Sequence, residues 1–267
     1  MMSTGAASQS GPSSDELCER GWVVEFVGLP GCGKSTVSHA VAEVLRGSGQ
    51  QISERSFEIA HRLKASPRRL AKLRLALRTV LLHPWWASSL AIQIGQTGQR
   101  SWVEGTARIF DLFYVCGLVA EQSQRVGIHL LDQGFFSSLW SIGFAASSAV
   151  PLGRLIEIGT KCCGRSPADL VIVLEVEPAI AVERLLRRPG TTSRLERRMA
   201  TPGFERDLQA AVASLRQVRA ALCARERAWS VRIVSDKEAR AANMQAPEVA
   251  ELVLASLPSA PTAPHLE

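Results

Sequence analysis

Gly28-Leu29-Pro30-Gly31-Cys32-Gly33-Lys34-Ser35-Thr36 fills the pattern G-x-x-x-x-G-K-[ST] without a gap or a substitution. Such a run is a phosphate-binding loop when it joins a strand to a helix, and both neighbours fit. Residues 22–27 are β-branched and aromatic enough for a buried strand, and residues 37–46 put Val37, Ala40, Val41, Val44 and Leu45 on one helical face. Each residue type in the loop answers a separate need. Glycines at 28, 31 and 33 let the backbone turn tightly and bring N–H groups up to phosphate oxygens, where a side chain would block them. The following helix start adds unpaired donors and a positive dipole end. Lys34 supplies a mobile charge for β and γ phosphates, Ser35 a hydroxyl for Mg²⁺, and Thr36 a donor for the α phosphate. A nucleoside triphosphate is therefore expected on Gly28, Pro30, Gly31, Cys32, Gly33, Lys34, Ser35 and Thr36.

The chain has 267 residues, 46% of them hydrophobic, enough for one sizeable core. A single domain is expected over 19–258, between a leader at 1–18 rich in Ser, Gly and Ala and a short tail at 259–267, both read as disordered. The net charge of +6 is local. No acidic residue lies between Glu58 and Glu104, a gap that holds Arg62, Lys64, Arg68, Arg69, Lys72, Arg74, Arg78 and Arg100. The six cysteines (18, 32, 116, 162, 163 and 223) have no zinc-like spacing, and the chain start lacks the layout of a secretion signal. Free thiols in a reducing cytoplasm follow, without a Cys162–Cys163 bridge. Residues 133–153 are uncharged but contain five serines and three glycines, which suits a buried helix better than a membrane span.

Along the chain, 50–55 is a weak strand candidate. In 67–82, Leu70, Leu73, Leu77, Val80 and Leu81 recur at helical spacing among Arg68, Arg69, Lys72 and Arg74. This is a basic amphipathic helix, read first as a solvated face; a membrane surface or an anionic substrate are the other readings. Nucleic acid is not expected, because no binding motif or interleaved aromatics accompany the charge. A helix at 85–94 is expected to pack its tryptophans in the core or under a lid. The next, 101–124, should bury Val103, Ile109, Phe110, Phe113, Leu118 and Val119. Residues 128–132 form an apolar run ending in Asp132, where a phosphate-loop protein needs a carboxylate aimed at the Mg²⁺–phosphate site. The clearest buried strand is 169–176. A helix at 179–188 leads to an arginine-dense stretch, with 189–202 read as a mobile lid. Arg184, Arg188 and Arg194 are its candidates for stabilising phosphoryl charge. A helix at 203–225, a strand at 230–234 and a helix at 247–257 complete the pattern.

Strands alternating with helices predict a parallel sheet covered on both faces. The order of parts resembles the nucleoside monophosphate kinase group, thymidylate kinase most closely. The phosphate loop, Asp132-Gln133-Gly134-Phe135-Phe136-Ser137-Ser138, and the run from Val173 through Arg184, Arg188 and Ser193-Arg194-Leu195-Glu196 carry the match. The resemblance implies an α/β, three-layer P-loop NTPase fold with a five-stranded parallel sheet. It also implies ATP with Mg²⁺ held by Ser35 and Asp132, a catalytic set of Lys34, Asp132, Arg184, Arg188 and Arg194, and γ-phosphoryl transfer to a small-molecule acceptor. A homodimer is among the partners it admits. Gln133 stands where the family has the arginine that holds the acceptor phosphate, and Ser193 stands for the aspartate before the lid arginine. Arg108 is a candidate to supply the missing charge. Three readings remain open: a nucleoside monophosphate kinase, a kinase of another small-molecule hydroxyl, and an ATP-sensing adaptor.

Overall fold

A computed structural model describes residues 20–188, 193, 195–225, 229–236 and 242–257. The expected leader and tail, and residues 189–192 and 194 of the expected lid, lie outside the described residues.

Strands β1 (Gly21–Val27), β2 (Ile52–Ser53), β3 (Gly127–Leu131), β4 (Leu170–Val176) and β5 (Ser230–Asp236) form one sheet in the order β2-β3-β1-β4-β5, every pairing parallel. Parallel strands covered on both faces read as continuous apolar runs, which is why β1 and β4 stand out in the sequence. Alternation along each strand divides the core in two. Trp22, Val24, Phe26, Leu170 and Ile172 pack against α1 (Lys34–Gly47) and α9 (Ala242–Ser256). Val23, Val27, Leu131, Val171 and Val173 face the layer that contains α4 (Trp102–Gln122), α5 (Phe135–Ala145) and α6 (Leu152–Cys163). This is the three-layer P-loop architecture the sequence implies.

Helices α2 (Ala65–Leu82) and α3 (Pro84–Gln96) extend that second layer, while α7 (Pro178–Leu186) and α8 (Phe204–Cys223) follow β4. A helical turn, Arg55–Phe57, runs into a π-helical turn, Glu58–Arg62, which connects β2 to α2. The chain leaves β1 in one direction for β2 and β3 and later in the other for β4 and β5. The carboxyl ends of β1 and β3 thus open onto the crevice where α/β sheets bind ligands.

In α2 the structure leaves Leu70, Leu73, Leu77 and Leu81 exposed and buries Leu75, Ala76 and Thr79 against α4, where Gly117 allows a close approach. Several expectations change. Trp85 is 78% exposed and so neither core nor lid packing, and Val103, one residue into α4, is 79% exposed where the helix runs past its neighbours. Residues 133–153 are two elements, α5 and the start of α6, separated by the irregular residues 146–151. The last helix starts at Ala242 and carries Pro247 inside it. Cys162 and Cys163 are buried free thiols, as expected. Among the described residues no helix is long and apolar enough to cross a membrane.

Candidate active site

The phosphate loop is fixed by its glycines in two ways. Gly31 and Gly33 have φ of 87° and 94°, in the left-handed region that glycine tolerates. A Cβ on Gly31 would lie 2.2 Å from the Ala181 carbonyl oxygen, so this glycine lets α7 pack onto the loop. A Cβ on Gly33 would meet nothing nearer than Arg184 Nη1 at 3.9 Å, so its surroundings stay clear for a ligand. Cys32 turns its side chain into the core beside Val37 and Phe26 and is 4% exposed. It can offer a ligand only its backbone, and its thiol is shielded. Lys34 arches back over the loop, with Nζ donating to the carbonyls of Gly28 at 2.7 Å and Leu29 at 3.0 Å. Ser35 is part-buried and Thr36 exposed at the start of α1.

Asp132 follows β3, next to β1 in the sheet, and this adjacency brings residues 97 positions apart into contact. Ser35 Oγ donates to Asp132 Oδ2 at 2.7 Å. Ser56 Oγ donates to Oδ1 at 2.7 Å, and the Asp132 backbone N–H donates to Ser56 Oγ at 3.2 Å. Asp132 is 1% exposed, and its carboxylate accepts both of these hydroxyls. A carboxylate and a hydroxyl beside a phosphate loop are hard oxygen donors of the kind Mg²⁺ takes with phosphate oxygens, so Ser35 and Asp132 fit that ion. A second set of possible ligands, His39, Glu43 and Glu54, is already an ion-pair group: Glu54 accepts from Arg46 Nη2 at 2.7 Å and pairs with His39 Nδ1 at 3.0 Å.

Two features of this site are assembled only by the fold. Glu25, completely buried in β1, shares the sheet face of Val23 and Val27 and so points toward α5. It accepts the backbone N–H of Phe136 at 3.1 Å and of Ser137 at 2.7 Å, capping the start of α5 and fixing the turn that carries Asp132. Burial pushes its pKa up to about 7, against the pull of those N–H donors. A Cβ on Gly134 would strike the Glu25 carboxyl carbon at 2.3 Å, which is why glycine stands there. The charge in β1 was the available clue, since an acid in an otherwise apolar strand demands a partner.

The second feature is a polar group from the turn after β2, α4 and α5. Arg108 Nη1 donates to Ser141 Oγ at 2.9 Å and pairs with Asp111 Oδ2 at 3.0 Å. Arg55 Nη1 donates to Glu58 Oε2 at 3.2 Å. The Tyr114 phenol is pushed well above its ordinary range by burial first, then by the charges of Asp132 and Asp111, with Arg55 opposing. Tyr114 is the member of the group that feels the charge of Asp132. The Nε–H groups of Arg55 and Arg108 are buried with no partner among the described residues.

Of the three arginines expected to stabilise phosphoryl charge, Arg184 on α7 reaches the phosphate loop, Nη1 donating to the Cys32 carbonyl at 3.4 Å. Arg188 is exposed just beyond α7, and Arg194 lies outside the described residues. Ser193 and Glu196 cap one another: the Ser193 N–H donates to the Glu196 carboxylate, and the Glu196 N–H donates to Ser193 Oγ at 3.1 Å. Leu195 belongs to one small core cluster with Leu29, Phe144, Leu185 and Ala211, so this segment shares a core with the loop. Asp207 accepts from Arg100 Nη2 at 2.8 Å and Arg198 Nη1 at 2.7 Å. Desolvation raises its pKa, but the two arginines outweigh it and the net shift is downward.

Fold and site together define an α/β protein of the phosphate-loop class. No protein-family model and no curated protein matches the chain. Among solved structures it is similar to shikimate kinase from Acinetobacter baumannii in complex with shikimate, at 14% identity and a TM-score of 0.44, over 90% of this chain and 97% of that one.

Proposed function

We propose that the protein is an ATP-dependent phosphotransferase that moves the γ-phosphoryl group of Mg-ATP to a nucleoside monophosphate. The observation that carries the reading is the bond from Ser35 Oγ to Asp132 Oδ2 at 2.7 Å, which joins the phosphate loop to the acidic strand end. The loop N–H groups and Lys34 would bind the triphosphate, Ser35 and Asp132 would hold Mg²⁺, and Arg184 would bear on charge developing beside the loop. The ion's chemistry is to neutralise phosphate charge and align the transferred group. Arg55 and Arg108, with buried unpartnered N–H groups, are the acceptor's anion ligands in this reading and replace the charge absent at Gln133. Leu195, in one small core cluster with Leu29 of the loop, supports a lid that keeps water from the transferred group.

The test is ADP release with Mg-ATP across a panel of nucleoside monophosphates, with Lys34→Ala as the blank. Stimulation by a monophosphate, with its KM raised in Arg55→Gln and Arg108→Gln, is expected. If none stimulates while ATP still binds, the acceptor is not a nucleotide. Exposed Gln133, in place of an arginine, favours a hydroxyl-bearing small molecule as the second reading.

A further inference from the structure

Helix α2 turns its most apolar face outward. Thr79 Oγ1 donates to the Phe113 carbonyl at 2.8 Å, and a Cβ on Gly117 would lie 2.2 Å from the Leu75 carbonyl oxygen, so one face sits tightly on α4. At about 3.6 residues per turn, Leu70, Leu73, Leu77 and Leu81 fall on the opposite side. They are 67, 45, 48 and 76% exposed. With Arg74, Arg78 and Leu82 they line an open groove of about 680 Å³. Arg74 and Arg78 flank this stripe on one side and Arg69 on the other, by the same helical geometry. Exposed Trp85 and Trp86 follow just past the end of α2. A solvated helix carries charge on its outer face; this one carries leucines with a basic rim.

We propose that α2 docks on an anionic phospholipid bilayer. The helix would lie in the plane of the headgroups, with the leucine stripe inserted and Arg69, Arg74 and Arg78 at the level of the phosphates. Charge decides among occupants. The segment between Glu58 and Glu104 holds eight cations and no acid, so a second copy seated on the stripe would set its arginines against those of the first. A bilayer rich in anionic lipid offers apolar depth and negative charge together, and Trp85 at the helix end suits the headgroup zone. The ion pair of Arg74 with Glu121, at 3.5 Å, leaves the Arg74 side chain 76% exposed and available to the surface. This surface is independent of the phosphotransferase reading and stands or falls without it.

The experiment is cosedimentation of the full chain with vesicles of phosphatidylcholine alone, or mixed equally with phosphatidylglycerol, at low and raised salt. Binding is expected on the mixed vesicles only, weakening as salt rises. Leu73→Ser with Leu77→Ser should weaken it by roughly tenfold or more, from the apolar area withdrawn. Arg74→Gln with Arg78→Gln should weaken it by on the order of tenfold as well. Circular-dichroism melting checks that each variant is folded, and the arginine pair carries the test if the leucine pair is not. Three results would overturn the proposal: no binding to mixed vesicles at low salt, binding indifferent to folded variants, or a solution dimer that the leucine changes break.

Discussion

The phosphate loop and helix α2 were equally conspicuous in the sequence, yet only the first pattern says by itself which of its groups face inward. In the loop, spacing is itself the structure: glycines with φ of 87° and 94° and a lysine folded over its own carbonyls are local consequences of nine consecutive residues. In α2, spacing announces a stripe without saying which of two stripes is buried. The leucines form the more apolar line, but α4 approaches at Gly117, where close backbone contact rewards the smaller line of Leu75, Ala76 and Thr79. A motif that closes on itself can be read locally, whereas a periodic pattern needs its partner.

That contrast can be broken at its strongest point first. Asp132→Asn should lower phosphoryl transfer by on the order of a hundredfold to a thousandfold, the usual cost of losing a group that acts on transition-state charge. ADP release beside a nucleotide-dependent thermal shift separates that loss from weaker binding, and an unchanged rate would sink the role of Asp132. On α2, Leu75→Ala should cost about 2–5 kcal/mol as a core truncation, measured by urea unfolding.

Glu25 sharpens the comparison from the loop's own strand. Its folded pKa of about 7 exceeds the ordinary 4.5, so the native state binds the proton more tightly than the unfolded chain. Its contribution to stability is fully present below pH 4.5, falls as pH rises toward about 7 and is flat above. The span corresponds to about 3 kcal/mol at most. Glu25→Gln should remove that slope, and a variant whose unfolding free energy kept the wild-type pH profile would contradict the shift. The smallest effect belongs to the exposed stripe. Leu73→Ser or Leu77→Ser should change stability by no more than about 0.5 kcal/mol, as surface positions do. A loss close to that of Leu75→Ala would mean the leucines are covered after all.

Sequence alone determined what depends on neighbours along the chain. The loop with its flanking strand and helix, the buried runs of β1 and β4, the parallel α/β class and the carboxylate at the end of β3 were all legible, because short-range sterics and continuous burial write themselves into consecutive residues. Tertiary structure decided what depends on residues far apart. Ser56 meets Asp132 across 76 positions, and Glu25 caps α5 across 111. Tyr114 feels the charges of Asp132 and Arg55 from separate elements, Arg108 meets Ser141 across 33 positions, and the leucines of α2 face outward. The physical reason is that a buried polar group or an apolar stripe states only that it needs a partner. Which partner it receives is set by the sheet order and by how closely two helices can approach.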